Sequence, residues 1–148
     1  MRRVWLGLIL TVLACAEPTA SSVRPAAVPS SVARPESNSY SIDAADRTVY
    51  VTLAQVRGEG EPVNAFMRRM FASADSAGAR RLVIDLRSIT GSDARLLVPL
   101  VKGVVTRERF ANRGGLLLVI GSNSFAAGQN AATLLQQYAN PILVSDMP

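Results

Sequence analysis

The sequence predicts an α/β protein built around a mostly parallel sheet. Three observations lead there. Strand-like and helix-like segments alternate from Thr48 onward, and the links between them are short. Two strand segments, "RRLVIDLR" (80–87) and "GLLLVIG" (115–121), are nearly unbroken apolar runs, as expected of strands covered on both faces. With 148 residues and 49% hydrophobic content, the chain has the material for one domain with one core.

The first residues stand apart from that domain. Arg2 and Arg3 precede "VWLGLILTVLA" (4–14), an apolar run too short to span a bilayer as a stable anchor. Residues 1–15 therefore read as a signal peptide, and the protein as exported. Its end has more than one reading. "VLAC" (12–15) resembles a bacterial lipobox with Cys15 as the acylated residue, which gives a membrane-anchored periplasmic lipoprotein. "ACA" (14–16) equally fits cleavage after Ala16 and simple secretion, and an uncleaved anchor is the third case. Cys15 is the only cysteine, so no internal disulfide supports the fold. Residues 16–38, rich in Pro, Ser and Ala and without apolar period, read as a flexible tether.

Each later element has its own warrant. "TVYVTLAQV" (48–56) is β-branched and apolar, hence a strand. "RGEGEP" turns the chain, and Pro62 suits a first helical position. Val63, Phe66, Met67, Met70, Phe71 and Ala74 follow at helical spacing and form one core-facing stripe. After the strand at 80–87 comes the loop "SITGSDA", in which Ser92 or Asp93 can cap a helix over 93–106. That helix carries Leu96, Leu97, Leu100, Val101 and Val104 on one face. "ANRGG" leads into the strand "LLLVIG". Asn123 or Ser124 then caps a third helix, with Ala127, Ala131, Leu134, Leu135 and Tyr138 inward. "ILVS" (142–145) is the last strand. The order β-α-β-α-β-α-β, with right-handed crossovers, brings the loops after residues 87 and 121 to one edge of the sheet. Sites in open α/β sheets lie there, outside the carboxyl ends of the strands.

Composition narrows the chemistry. The net charge of +5 falls to +3 once Arg2 and Arg3 leave, since 16 less 2 gives 14 basic residues against 11 acidic. The arginines are scattered and not interleaved with aromatics, which speaks for a solvated surface and against nucleic-acid binding. There is no histidine, and Lys102 is the only lysine. A Ser-His-Asp or Cys-His arrangement is therefore out of reach. A zinc site would need carboxylates alone. Nothing calls for a cofactor or a metal.

The two loops at the shared edge carry a resemblance. "RRLVIDLRSITGSD" (80–93) resembles the "LIIDLRNNGGGD" segment of tail-specific, or carboxyl-terminal-processing, serine peptidases. "GLLLVIGSNSFAAGQNAATLLQQYANPILVSD" (115–146) is similar to their "GKLYVLIGRRTFSAAQNFA…ILVGE" segment, and "VYVTLAQV" to the strand that opens their catalytic core. The likeness runs over about residues 45–148. It implies a crotonase-like spiral of β-α repeats over 39–148, with the carboxyl-terminal part of the family frame cut short. It also implies a mechanism: a serine in the strand-to-helix turn attacks a peptide carbonyl, a lysine serves as base, and backbone N–H groups of a Gly-Gly stretch hold the oxyanion. A buried lysine can take that proton because burial lowers its pKa.

Carried across residue by residue, the machinery is incomplete. Ala126 stands where the family has its nucleophilic serine. Thr90, Gly91 and Ser92 stand at the glycine positions, so Gly91 is the one glycine kept, and Thr90 should suit a positive-φ position poorly. The family's lysine lies beyond the strand that here is "ILVS", and Lys102, on the second helix off its apolar stripe, is not its counterpart. Ser124 is the weak substitute for a nucleophile and reads better as a helix cap. Asp85 and Arg87 alternate on one strand, face the same side, and can either pair to support the loop or touch a substrate. Gln129 and Asn130 are candidate contacts for a peptide, or plain surface.

Two functions follow from the resemblance. One is an exported module that has lost catalysis and binds an extended peptide or a protein partner, with membrane attachment through a lipid on Cys15. The other is a serine-type peptidase of the family, residual or truncated. The last strand leaves a sheet edge, for which pairing into a homo-oligomer is expected.

Overall fold

A computed structural model describes residues 37–56, 60–91, 93–122, 124 and 126–145. The segments expected as a signal peptide and, up to residue 36, as a tether, together with Cys15, Ser92, Asn123 and the final "DMP", lie outside those residues.

The strands are β1 (Ser39–Asp43), β2 (Thr48–Thr52), β3 (Arg81–Asp85), β4 (Leu116–Ile120) and β5 (Ile142–Ser145). The helices are α1 (Val63–Ser76), α2 (Val98–Val105), α3 (Glu108–Ala111) and α4 (Ala126–Tyr138). One sheet holds all five strands in the order β1-β2-β3-β4-β5. β1 runs antiparallel to β2, and every other pairing is parallel.

That order settles where the core sits. Every parallel crossover steps the same way, and right-handed connections then carry the helices to one face of the sheet. The side chains agree. Val49, Val51, Leu82, Ile84, Leu116 and Leu118 are buried in a single cluster with the inward faces of α1, α2 and α4. The residues between them face away, and Tyr50, Ile142 and Val144 are exposed there. Among the described residues the helices lie on one face; on the other, Val119 and Thr48 are buried and Val83 and Leu117 half-buried, so the apolar runs at 80–87 and 115–121 are largely withdrawn from water on both sides.

The stripe expected on the first helix is buried throughout: Val63, Phe66, Met67, Met70, Phe71 and Ala74. Pro62 sits one position earlier than expected, with extended ψ, and its carbonyl accepts from Ala65 and Phe66. The helix expected over 93–106 is broken in two. Asp93 accepts from the Arg95 N–H and opens a 3-10 turn over Ala94–Leu97, and α2 follows with Pro99 in its first turn. Proline lacks an N–H and is tolerated only at the start of an α-helix, which resets the register there. In α4, Ala127, Gly128, Ala131, Ala132 and Leu135 are buried, whereas Tyr138 is 55% exposed. The small residues let α4 approach closely, and the ring of Tyr138 lies at the flank of the buried stripe.

The strand expected over 48–56 ends at Thr52, and two elements had no counterpart in the expectation, β1 and α3. "SYSID" alternates polar and apolar with only Tyr40 and Ile42 to bury. The turn that folds it onto β2 is built by Asp43, whose carboxylate accepts from the N–H groups of Ala45 and Asp46 at 2.9 and 3.2 Å. Tyr40 then meets Phe66 edge to face, with ring centroids 5.8 Å apart.

Candidate functional site

β3 and β4 both end on the same edge of the sheet, and the segments that follow them touch. Leu86 and Ile89, after β3, lie against the turn that opens α4. The hydroxyl of Ser124 is buried, donates to the Leu86 carbonyl at 3.0 Å and accepts from the Gly121 N–H at 3.0 Å. It thus fastens the turn to β3 and to itself, and among the described residues it takes no N–H from the first turn of the helix. Behind it, a methyl group on Gly128 would come within 2.7 Å of Ile89 Cγ2, so α4 seats on the loop only with glycine at that position. The sequence reading of these two loops as neighbours corresponds to this contact.

The rest of the loop is sewn to the chain beyond β2. Thr90 donates from both its N–H (2.9 Å) and its hydroxyl (3.1 Å) to the Ala54 carbonyl, and its own carbonyl accepts from Val56. Thr90 is therefore not a misfit. Gly91, at φ +112°, takes the positive-φ position instead, packed where an added Cβ would lie 3.3 Å from Val56 Cβ. Asp85 and Arg87 pair through a fork, with Nη2 to Oδ2 at 2.7 Å and Nε to Oδ1 at 3.1 Å, and Asp85 also accepts the Arg87 N–H at 2.9 Å. The pair closes on itself at the root of the loop.

The remaining sequence candidates are spread around the turn. Ala126 is the first residue of α4 and is exposed. Its methyl group offers no oxygen to a substrate. Gln129 turns back, its amide donating to the Ser124 carbonyl at 3.2 Å, and Asn130 is exposed beside it. Lys102 is exposed on α2, where it lines a shallow apolar groove with Val98, Val105 and Tyr138. Ser92 and Cys15 lie outside the described residues.

A separate concavity lies one strand over. A cleft of about 830 Å³ opens between the start of α1 and the 3-10 turn, lined by Asn38, Gln55, Val56, Asn64, Phe66 and Arg95 among others. Its volume is in the range of ligand sites. Asn38 is structural: its amide donates to the Gln55 carbonyl and accepts from the N–H groups of Ala54 and Gln55, extending the β1–β2 pairing with a side chain. Glu61, also on the cleft, pairs with Arg69 at 2.5 Å, and that hydrogen bond holds its carboxyl below the usual range. Arg69 in turn lies over the Tyr40 ring at 5.2 Å, and Glu61 is the main reason its pKa is raised. Asn64 and Arg95 are the exposed polar groups on this wall without a side-chain bond among the described residues. Sequence reasoning passed over them, because nothing in "PVNAF" or "DARLL" reveals that the start of α1 faces the 3-10 turn. The one available signal was the missing side-chain cap at Pro62.

Among the described residues, no three of His, Cys, Asp or Glu gather closely enough to hold a metal ion, and no helix is long and apolar enough to cross a membrane. No family model matches the chain, no curated protein matches it, and no solved structure matches it. The fold stands as a general α/β fold with a mixed, mostly parallel sheet.

Proposed function

We propose that this chain is an exported peptide- or protein-binding module on a serine-peptidase-like, crotonase-type frame that no longer performs hydrolysis. The observation that carries the reading is the state of Ser124. Its hydroxyl is buried and engaged both as donor and as acceptor with backbone partners, so it has no free proton path and no exposed oxygen. Ala126, exposed at the head of α4, offers only a methyl group. A nucleophile needs an accessible oxygen with a base in hydrogen-bond reach, and neither Ser124 nor Ala126 has one. Binding has support of its own in the adjacent cleft, where apolar Val56 and Phe66 adjoin the polar Asn64 and Arg95. Apolar lining with a few polar groups is the usual makeup of a recognition site.

The test is reaction of the full chain with a fluorophosphonate serine-hydrolase probe, beside Ala126→Ser and Asn64→Trp variants, together with retention of a fluorescent extended-peptide library. The expected result is no labelling of the unaltered chain, and peptide retention that Asn64→Trp reduces by blocking the cleft. Labelling of the unaltered chain at Ser124 would instead assign a hydrolase of rearranged chemistry. Retention unaffected by Asn64→Trp would move the site elsewhere.

A further inference from the structure

The cleft between the start of α1 and the 3-10 turn carries an unbalanced charge. Among the described residues, two charged side chains line it, Glu61 and Arg95. Glu61 is already neutralised by Arg69, with Nη2 to Oε2 at 2.5 Å and Nε to Oε1 at 3.2 Å. Arg95 is exposed, and its bond to Asp93 comes from the backbone N–H, at 3.1 Å. That bond fixes the residue in the turn and leaves its guanidinium without a partner among the described residues. The rest of the wall is neutral and sorted by kind. Val56, Val63 and Phe66 belong to the hydrophobic core and show their edges to the cleft, and Leu96 and Pro99 follow Arg95 on the turn side. Asn64, exposed in the first turn of α1, presents an amide with both donors and an acceptor.

We infer that this cleft takes a peptide that carries a carboxylate, with the carboxylate on the Arg95 guanidinium and a neighbouring apolar side chain over Val56 and Phe66. The inference rests on the reading of the cleft as a peptide site and adds to it the charge of the ligand. Asn64 suits a peptide group, which also has a donor and an acceptor. The floor suits an apolar side chain. Neither of them uses the guanidinium, and a guanidinium forks onto a carboxylate through two parallel N–H bonds. A basic ligand would instead meet a like charge that no acidic side chain of the described wall offsets, since Glu61 is held by Arg69. The room suits the three contacts together: about 830 Å³ exceeds what one acidic side chain fills and lies within the range of sites for whole small ligands. The carboxylate of a Glu or Asp side chain and that of the peptide's own end are the same chemistry to Arg95, and the test separates them.

Arg95 is open to water, so the preference is modest and screened: about fivefold at low salt, shrinking as salt rises. The test is fluorescence anisotropy of three dye-labelled pentapeptides with the full chain. One has a glutamate between valines and a capped carboxyl end. The second has glutamine in place of that glutamate. The third has the glutamine and a free carboxyl end. The expected result is tighter binding of the first or the third than of the second. That margin should vanish in Arg95→Gln, while the second peptide binds Arg95→Gln as it binds the parent. A gain for the first assigns the side-chain acid, and a gain for the third assigns the terminal one. Equal affinity for all three, each weakened by Asn64→Trp, would overturn the inference and leave the cleft as a peptide site. A margin that persists in Arg95→Gln would also overturn it, by moving the carboxylate to another cation. Binding of none of the peptides, or binding indifferent to Asn64→Trp, would remove the underlying site and the inference with it.

Discussion

The Ser124 hydroxyl donates to the Leu86 carbonyl at 3.0 Å, and through that one bond the turn before α4 is held to the end of β3. Because the same oxygen accepts from Gly121, its loss leaves the Gly121 N–H without this acceptor and the Leu86 carbonyl with only the long bond from the Ile89 N–H at 3.5 Å. Ser124→Ala should therefore cost about 1–3 kcal/mol, read from the urea midpoint, as expected when a buried donor and acceptor lose their partner. Reactivity toward a serine probe should not change. A variant as stable as the parent would show that water replaces the hydroxyl.

Gly128 and Ile89 form a steric pair. Gly128→Ala should cost about 1–3 kcal/mol, since its methyl group would fall 2.7 Å from Ile89 Cγ2. Ile89→Ala removes that methyl group, so Gly128→Ala should cost clearly less in that background. Equal costs in both backgrounds, in a double-mutant cycle, would mean the helix shifts away from Ile89 without strain.

Asp75 receives two arginines, Arg107 at 2.6 Å and Arg109. Hydrogen bonding from Arg107, with a smaller share from Arg109, holds its carboxyl below the usual 3.8. A depressed folded pKa stabilises the fold above the unfolded value and is lost as pH falls through the folded one. The contribution should thus be intact at neutral pH and disappear below about pH 4. Asp75→Asn should cost at most about 1 kcal/mol at pH 7 because solvent screens the group. It should also flatten the stability profile between pH 5 and 2. A parent and variant with parallel acid profiles would remove Asp75 from the acid transition.

Arg87→Lys tests the fork on Asp85. An ammonium cannot reproduce two parallel N–H···O bonds, so lysine should not substitute for arginine here. The expected loss is about 1 kcal/mol, with faster amide exchange over residues 86–91 by hydrogen-exchange mass spectrometry. Unchanged exchange would show that the Thr90–Ala54 bonds hold the loop unaided.

Much of the frame was legible from local pattern. The stripe Val63–Ala74 is a helix face by spacing alone, and its burial follows because no other face of α1 can enter a core. The apolar runs of β3 and β4 were as plain. β1 was not, since its value lies in Tyr40 reaching Phe66 and Ser73, contacts made far along the chain. That Ala126 carries a methyl group and no oxygen is a property of residue identity and needed no coordinates. What became of Ser124 did, because the partner of its hydroxyl, Leu86, is 38 residues away.

The sequence by itself determined the main alternation of strands and helices from β2 to β5, most of their apolar faces and the lack of histidine, because these depend on residue identity and on spacing along one helix or strand. Among the described residues, the tertiary structure alone decided that the helices gather on one face of the sheet and that the cleft falls between α1 and the 3-10 turn. Those outcomes depend on strand order and on the packing of distant segments, which local spacing does not encode.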